Sequence, residues 1–272
     1  MMQPTEKLFP LSTPLIVDLK KRWFNEPHKI VTSSKFIPIA EEWFRSTKLN
    51  DLQGWDDFPC VDVVLGCTHF FESLILKYGW DRFQILPREY AYYGLMGKHG
   101  TEPGSLEPNK PLIVSLPNWY YGDLRPEWNA LLRECESKNI DIHIDFAWIT
   151  VARHISIDLS HPNIKSFAMS ISKYNMEWNR IGLRWSRQRT MDSVTIFNKF
   201  HNEVNTGLTS CGAFIMENLS RDYGWEQYGR LHYQVCTDLN LVPTKLIHVA
   251  HSPDREKSLG IGNILSAAPN SV

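Results

Sequence analysis

A lysine in the middle of this 272-residue chain has the surroundings expected of a reactive amine. Ser170, Ser172 and Lys173 come directly after the apolar residues 167–169, and Arg180 and Arg184 follow a few positions later. Partial burial disfavours an ammonium ion, which makes a lysine a better nucleophile and able to form a Schiff base. On this segment alone, a lysine that extends from a strand end into solvent is the simpler interpretation. The elements around Lys173 must therefore decide between the two.

The order of predicted elements from residue 61 onward is typical of an α/β domain. Predicted strands cover 61–66, 83–87, 111–117, 140–146, 164–172, 181–185 and 246–250. Predicted helices cover 15–23, 39–45, 68–77, 126–138, 191–204, 210–219 and 225–239, with a short one after Tyr90. Alternation of strands and helices indicates a mostly parallel sheet, in which functional sites collect at the carboxyl ends of the strands.

Four polar features fall at the carboxyl ends of successive predicted strands. They are the turn formed by Gly66, Cys67 and Thr68, the amide of Asn118, the carboxylate of Asp145, and the segment that ends at Lys173. The turn begins a helix, so its free backbone amides can bind an anion. A simple helix cap at Thr68 and a loop-capping role for Asp145 are the alternatives. Because these strand ends meet at one edge of the sheet, we expect a single site there.

Composition and charge exclude several classes of partner. Hydrophobic residues make up 43% of the chain and charged residues 22%, and 29 basic against 30 acidic residues give a formal charge of −1. We therefore expect no overall attraction to nucleic acid or to an anionic membrane. The five cysteines form no C-x-x-C pair, so we expect a reducing cytoplasm, no disulfide framework and no metal site. Neither a signal segment nor an apolar run of membrane-spanning length is recognisable, so no membrane partner is expected.

Two segments resemble the class I/II aminotransferases, which are pyridoxal-phosphate-dependent enzymes of fold type I. Ser170–Ile171–Ser172–Lys173 followed by Arg180–Ile181–Gly182 is similar to that family's S-x-S-K … R-x-G segment. Asp145–Phe146–Ala147–Trp148 resembles its D-x-A-Y segment. The resemblance covers about residues 60 to 190. It implies a three-layer αβα sandwich with a mostly parallel sheet, pyridoxal 5′-phosphate as cofactor, and a homodimer with the site at the subunit interface.

The resemblance implies a role for each of ten residues. Lys173 would form a Schiff base with the cofactor and move the proton at the substrate Cα, and Asp145 would pair with the pyridine nitrogen. The other implied cofactor contacts are Ser170, Arg180, Gly66, Cys67 and Thr68 for the phosphate, Tyr90 for stacking on the ring, and Asn118 and Trp148 for hydrogen bonds. An ordinary core or surface role is the alternative for Tyr90, and Tyr93 is a weaker candidate for reaching the phosphate or a neighbouring subunit.

The sequence also departs from the family pattern at several positions. Alignment on Gly122 puts Trp119 where the family has its ring-binding asparagine, so Asn118 takes that role only if the turn is one residue longer. Trp148 replaces a tyrosine, and an indole N–H can donate a hydrogen bond but cannot accept one. The arginine that binds the substrate carboxylate cannot be assigned. Its candidates are Arg221, Arg230 and Arg255.

We divide the chain into an N-terminal arm or part of a small domain at 1–57, a cofactor-binding domain at 58–190, and a reduced, mostly helical C-terminal domain at 191–272. The implied activity is an aminotransferase acting on an amino acid or another small primary amine. A decarboxylase or lyase using the same cofactor, and a degenerate member kept for binding or regulation, are the alternatives; retention of Lys173 and Asp145 argues against the second. Nucleic-acid binding by the basic residues at 180–189 ranks last, because strand alternation would divide them between two faces.

Overall fold

A six-stranded sheet forms the centre of the computed structural model, which describes residues 3–27, 29–96, 101–174, 180–201 and 204–267. The strands are β1 (Asp51–Gln53), β2 (Cys60–Val64), β3 (Gln84–Ile85), β4 (Leu112–Ser115), β5 (Ile142–Asp145), β6 (Ser156–Asp158), β7 (Ile164–Ser170), β8 (Gly182–Ser186), β9 (Val242–Pro243), β10 (Val249–His251) and β11 (Ser258–Gly260). The helices are α1 (Pro14–Asn25), α2 (Ser33–Arg45), α3 (Gly66–Tyr78), α4 (Ala91–Met96), α5 (Trp128–Ser137), α6 (Ser193–Thr195), α7 (Thr206–Asn218), α8 (Tyr223–Asp238) and α9 (Gly262–Ala267).

The strand order of the central sheet is β2-β8-β7-β5-β4-β3. Strands β3, β4, β5 and β7 run parallel to their neighbours in that group, whereas β8 is antiparallel to both β7 and β2. Every residue of β4 and β5 is buried, as expected for parallel strands covered on both faces. The predicted α/β class with a mostly parallel sheet is thus confirmed.

Apolar layers cover both faces of this sheet. Val63 and Phe167 belong to a large cluster that includes side chains of α1, α2, α5, α7 and α8, whereas the adjacent Val64 and Ala168 belong to a smaller cluster under α3 and α4. This split follows from the two-residue period of a strand, which sends successive side chains to opposite faces. The result is the predicted three-layer αβα sandwich.

Both end segments of the chain pack into the large cluster. Ile16 and Phe36 come from α1 and α2, and Leu246 and Leu265 come from the C-terminal region. Strands β9, β10 and β11 form a small antiparallel sheet, and Thr5 pairs with Gly260 at its edge. The first residues of the chain therefore lie beside the last strand, while the division into three units at 57 and 190 stays a prediction.

The structure differs from the sequence-based expectation at several elements. The predicted helix at 39–45 starts at Ser33 and contains Pro38, because burial of Phe36 on the same helix outweighs the backbone hydrogen bond lost at the proline. In place of one helix over 191–204, the short α6 continues as a π-helix, Ile196–His201. The parallel pair β1 and β6 was not predicted, since both strands have only three residues. In the described ranges, no helix combines the length and the apolar character needed to cross a membrane.

Candidate active site

A cleft of about 560 Å³ opens at the carboxyl ends of the parallel strands. Strand β5 ends at Asp145, β7 leads to Lys173, and β2 leads through Leu65 into α3. Of the ten residues predicted to form the site, those that line the cleft are Gly66, Cys67, Thr68, Tyr90, Asp145, Trp148, Lys173 and Arg180. The fold thus brings together residues that are up to 114 positions apart, from Gly66 to Arg180.

Residues from the N-terminal and the C-terminal parts of the chain contact the backbone of Lys173. Its carbonyl oxygen accepts a hydrogen bond from Leu11 N at 3.1 Å and lies 3.0 Å from His248 Nε2. Its ammonium nitrogen lies 3.8 Å from the centre of the Trp148 ring, which also packs edge-on against His248 with a centroid distance of 5.9 Å. The N-terminal segment and the C-terminal region therefore fix the backbone that presents this amine to the cleft.

Asp145 is only 5% exposed and both of its carboxylate oxygens accept hydrogen bonds. Oδ1 accepts from Ala147 N at 2.7 Å, and Oδ2 accepts from the hydroxyl of Tyr93. Burial, followed by the nearby Asp145 charge, raises the pKa of Tyr93 well above its usual range, so the hydroxyl stays a donor. Tyr93, which the sequence offered only as a weaker candidate for the phosphate, thus contacts the carboxylate.

The thiol of Cys67 lies next to the same carboxylate. Its sulfur is 3.5 Å from Ala168 O and 3.8 Å from Ser170 Oγ. Burial raises the pKa of Cys67 well above its usual range, and the Asp145 charge adds to the shift. The side chain is therefore a neutral thiol that packs under the cleft, not a nucleophile.

One end of the cleft is suited to an anion. Helix α3 begins at Gly66 with φ of 79°, a left-handed conformation that favours glycine, and its N-cap residue Leu65 has no side-chain acceptor for the amides of the first turn. Arg180 Nη1 lies 3.4 Å from Thr68 Oγ1 at this helix end. Free backbone amides, a hydroxyl and a guanidinium thus share one small region, the arrangement that binds phosphate or carboxylate groups.

Two predicted residues do not line the cleft. Asn118 is fully buried: its Nδ2 donates to Arg88 O at 3.2 Å and its Oδ1 accepts from Tyr120 N at 2.8 Å. The carboxamide therefore organises the turn after β4, and Trp119 lines the cleft beside it. Ser170 is also buried, and its hydroxyl lies 2.9 Å from that of Ser172, which does line the cleft.

No sequence pattern indicates another group of residues that line the cleft. The N-terminal segment contributes Glu6, Lys7, Leu8 and Pro10, and β4 contributes Ser115. None of these lies in a motif or at a characteristic spacing. Residues 6–10 line the cleft because of the tertiary fold, which no local sequence pattern indicates. Pairing of Thr5 with Gly260 fixes this segment.

Comparison with solved structures identifies the fold. The PLP-bound C-S lyase from Staphylococcus hominis aligns over 90% of this chain and 75% of its own, with 11% identity and a TM-score of 0.60. The aspartate aminotransferase from Thermus thermophilus with maleate aligns over the same shares, with 15% identity and a TM-score of 0.60. This chain has the fold of the fold-type I pyridoxal-phosphate-dependent enzymes. A PLP-bound putative aminotransferase from Clostridium difficile 630 gives 12% identity and a TM-score of 0.58 over 90% of this chain and 76% of its own.

The likeness is visible in structure and not in sequence. No family model matches this sequence, and no curated protein matches it either. Identities of 11% to 15% establish the fold-type I fold of the chain and leave its reaction open. The resemblance inferred from residues 60 to 190 is confirmed at the level of the fold.

Within this fold-type I chain, none of the three arginines considered for a substrate carboxylate lines the cleft. Arg221 is 2% exposed and donates to the carbonyl oxygens of Thr150 at 2.6 Å and Ile149 at 2.8 Å. These hydrogen bonds stabilise the segment that follows β5. Among the described residues, the cations that line the cleft are Lys7, Lys173 and Arg180.

Proposed function

We propose that this protein is a pyridoxal-phosphate-dependent enzyme that holds its cofactor through Lys173 and acts as an aminotransferase on an amino acid or another small primary amine. The observation that carries the proposal is a lysine amine, a buried carboxylate and an uncapped helix N-terminus on a single cleft at the carboxyl edge of the sheet. The PLP-bound neighbours of the same fold support the cofactor.

The residues of the cleft fit pyridoxal phosphate group by group. An aldehyde needs an amine, which Lys173 supplies, and a pyridine nitrogen needs a buried carboxylate, which Asp145 supplies. The phosphate needs donors and positive charge, which the first turn of α3 and Arg180 supply. The aromatic face of Tyr90 also lines the cleft. When bound, the cofactor supplies an electron sink for charge that develops at the substrate Cα.

The side chains of this chain would then do the remaining work. Lys173 would move the proton at the substrate Cα, while the face of Trp148, 3.8 Å from the amine, attracts its protonated form. The Asp145 carboxylate would keep its orientation toward the cleft, because Ala147 N donates a hydrogen bond to one of its oxygens and the Tyr93 hydroxyl donates to the other. At the end of β4, Ser115 and Trp119 would face the cofactor, since the carboxamide of Asn118 is engaged within the turn.

The substrate carboxylate would meet a cation of the cleft lining. Arg180 lies 3.4 Å from Thr68 at the end of the cleft proposed to bind the cofactor phosphate, and Lys173 would be bonded to the cofactor. Lys7 is the remaining cation among the described lining residues, so we propose it as the carboxylate partner. In Lys7→Ala, KM for an amino-acid donor should rise with little change in kcat, whereas KM for benzylamine, an amine that has no carboxylate, should be unaffected.

The protein is further proposed to be a homodimer in the cytoplasm. Tyr90, which precedes α4, and Leu95, which lies within it, are 45% and 81% exposed although both are large hydrophobic residues. Exposed apolar side chains beside a cleft are suited to a subunit interface. Light scattering coupled to gel filtration should give twice the 31.6 kDa mass of the chain, and a monomer would contradict the dimer.

A lyase is the second candidate, because one structural neighbour is a C-S lyase and none of the three considered arginines lines the cleft. Purified protein incubated with the cofactor should become yellow under either reaction. In single turnover with a panel of amino donors, an aminotransferase releases one keto acid per site and no ammonia, whereas a lyase acting on cysteine releases pyruvate together with ammonia and sulfide, so ammonia is the distinguishing product. Protein that stays colourless with added cofactor would contradict both.

A further inference from the structure

A second, smaller cavity lies at the other end of α3. It has a volume of about 200 Å³ and is bordered by the last turn of α3, by β5 and β7 near their amino ends, and by β8. Along α3, the nearest lining residues of the two spaces are Thr68 of the cleft and Leu74 of the cavity, six positions or about 9 Å apart at 1.5 Å per residue. Among the described residues, no side chain lines both spaces. The cavity is therefore distinct from the cofactor cleft.

Two residues that line this cavity each have a buried nitrogen atom without a hydrogen-bond partner in the described chain. His143 is 2% exposed, and its Nδ1 lies 2.7 Å from Ser166 Oγ while Nε2 has no partner. Arg184 is also 2% exposed, and Asp192 and Asp62 bind its two terminal nitrogens at 2.6 Å and 2.7 Å while Nε has no partner. An unsatisfied buried donor costs about 1–3 kcal/mol. A ligand with acceptor oxygens would remove that cost.

The charge around the cavity favours an anion. Its cationic lining residues are Lys77, Lys165, Arg184 and Arg187, against the carboxylates of Asp141 and Asp192. Both carboxylates are already paired, Asp192 with Arg184 at 2.6 Å and Asp141 with Lys165 at 3.5 Å. Lys77 is exposed at the end of α3 and donates to Tyr78. Arg184 is also paired with Asp62 at 2.7 Å and Arg187 with Asp57 at 3.0 Å, so Lys77 is the lining cation that has no carboxylate partner among the described residues.

The histidine ring is neutral in these surroundings. Burial lowers the pKa of His143 to about 3, and Lys77 and Arg184 add to the shift. The ring is wedged between Tyr78 and Phe83, with centroid distances of 5.5 Å and 6.2 Å. When Ser166 donates to Nδ1, Nε2 carries the proton, and His143 becomes a fixed neutral donor.

We propose that this cavity binds a small molecule through a carboxylate or phosphate group, whose oxygens accept hydrogen bonds from His143 Nε2 and Arg184 Nε while Lys77 attracts the charge. The volume limits the ligand to a compact molecule with a few heavy atoms beyond the oxyanion. This site does not depend on the reaction proposed for the cleft, because the two spaces share no described residue.

Malonate and inorganic phosphate are the probes, each titrated into the full-length protein by calorimetry, with nitrogen-resolved NMR of the histidine rings. We expect saturable binding of at least one probe and a shift of the His143 Nε2 resonance; which probe binds tells a carboxylate ligand from a phosphate ligand. His143→Phe should weaken binding at least about tenfold, and His143→Gln, whose amide can occupy the donor position, should restore most of it.

Two further variants distinguish binding in this cavity from binding in the cleft. Lys77→Gln changes an exposed residue that cannot disturb the core, and it should weaken the binding of either anion by removing a charge. Arg180→Ala, at the phosphate end of the cleft, should leave binding at the cavity unchanged. The proposal is overturned if neither probe shifts the His143 resonance, or if Arg180→Ala abolishes the binding that Lys77→Gln leaves intact.

Discussion

The hydrogen bond from Tyr93 to Asp145 can be removed without changing the shape of the core. Tyr93 is fully buried and its ring packs on Phe71 at 4.4 Å, a contact that Tyr93→Phe retains. The substitution leaves Oδ2 of a carboxylate that is only 5% exposed without its donor. Hydrogen bonds to charged groups contribute about 1.5–3 kcal/mol, so we expect the free energy of unfolding to fall by about 2 kcal/mol.

Thermal and urea unfolding of the cofactor-free protein measure this change. A loss of about 2 kcal/mol should lower the melting temperature by about 4–8 °C in a chain of this length. A double-mutant cycle with Asp145→Asn isolates the pair, and the two changes should be non-additive by about 1 kcal/mol or more. Cofactor affinity should also fall in Tyr93→Phe, because Asp145 loses the contact that fixes Oδ2.

The preceding residue offers a matched control. The hydroxyl of Tyr92 donates to Glu72 at 2.7 Å on a partly exposed part of the same helix, so Tyr92→Phe should change stability by about 0.5 kcal/mol or less. If Tyr93→Phe is no more destabilising than Tyr92→Phe, or if the cycle is additive, the reasoning about the buried carboxylate is refuted.

The remaining predictions concern a proton, an anion and a backbone contact. Burial raises the pKa of Glu89 from 4.5 to about 7, so the folded state binds this proton more tightly and the stability it contributes is lost as pH rises from 4.5 through 7. Urea unfolding at pH 5 and pH 8 should show a loss of about 3 kcal/mol that Glu89→Gln removes. Arg180→Ala should raise the cofactor dissociation constant about 10- to 100-fold in a fluorescence titration, whereas exposed Arg189→Ala should not. A Cβ on Gly182 would lie 2.0 Å from Met169 O, so Gly182→Ala should unfold the protein or abolish soluble expression, and a stable variant would contradict the register of β7 and β8.

The sheet and much of the cleft could be predicted from local sequence patterns. The β-branched run that forms β2 is followed by a glycine and a helical repeat, and these features predict a strand, a turn and a helix. Topology then brings strand ends together, which is why the sequence alone predicts that Asp145 and Lys173 belong to one site.

Other parts of the site depend on contacts that leave no local pattern. Lys7 reaches the cleft because Thr5 pairs with Gly260, near the opposite end of the chain. Tyr93 bonds to Asp145 because α4 packs under α3, and the tyrosine has no motif of its own. Asn118 turns away from the cleft because the turn after β4 uses its carboxamide, and the sequence alone could not decide between it and Trp119.

The identity of the lysine that carries the cofactor tests the account most directly. Protein incubated with pyridoxal phosphate, reduced with borohydride and digested should yield one peptide that carries the cofactor mass on Lys173, and Lys173→Ala should yield none. The cleft contains a second lysine, Lys7, which serves as an internal comparison. Labelling of Lys7 in place of Lys173, or the absence of any labelled peptide, would contradict the proposed site.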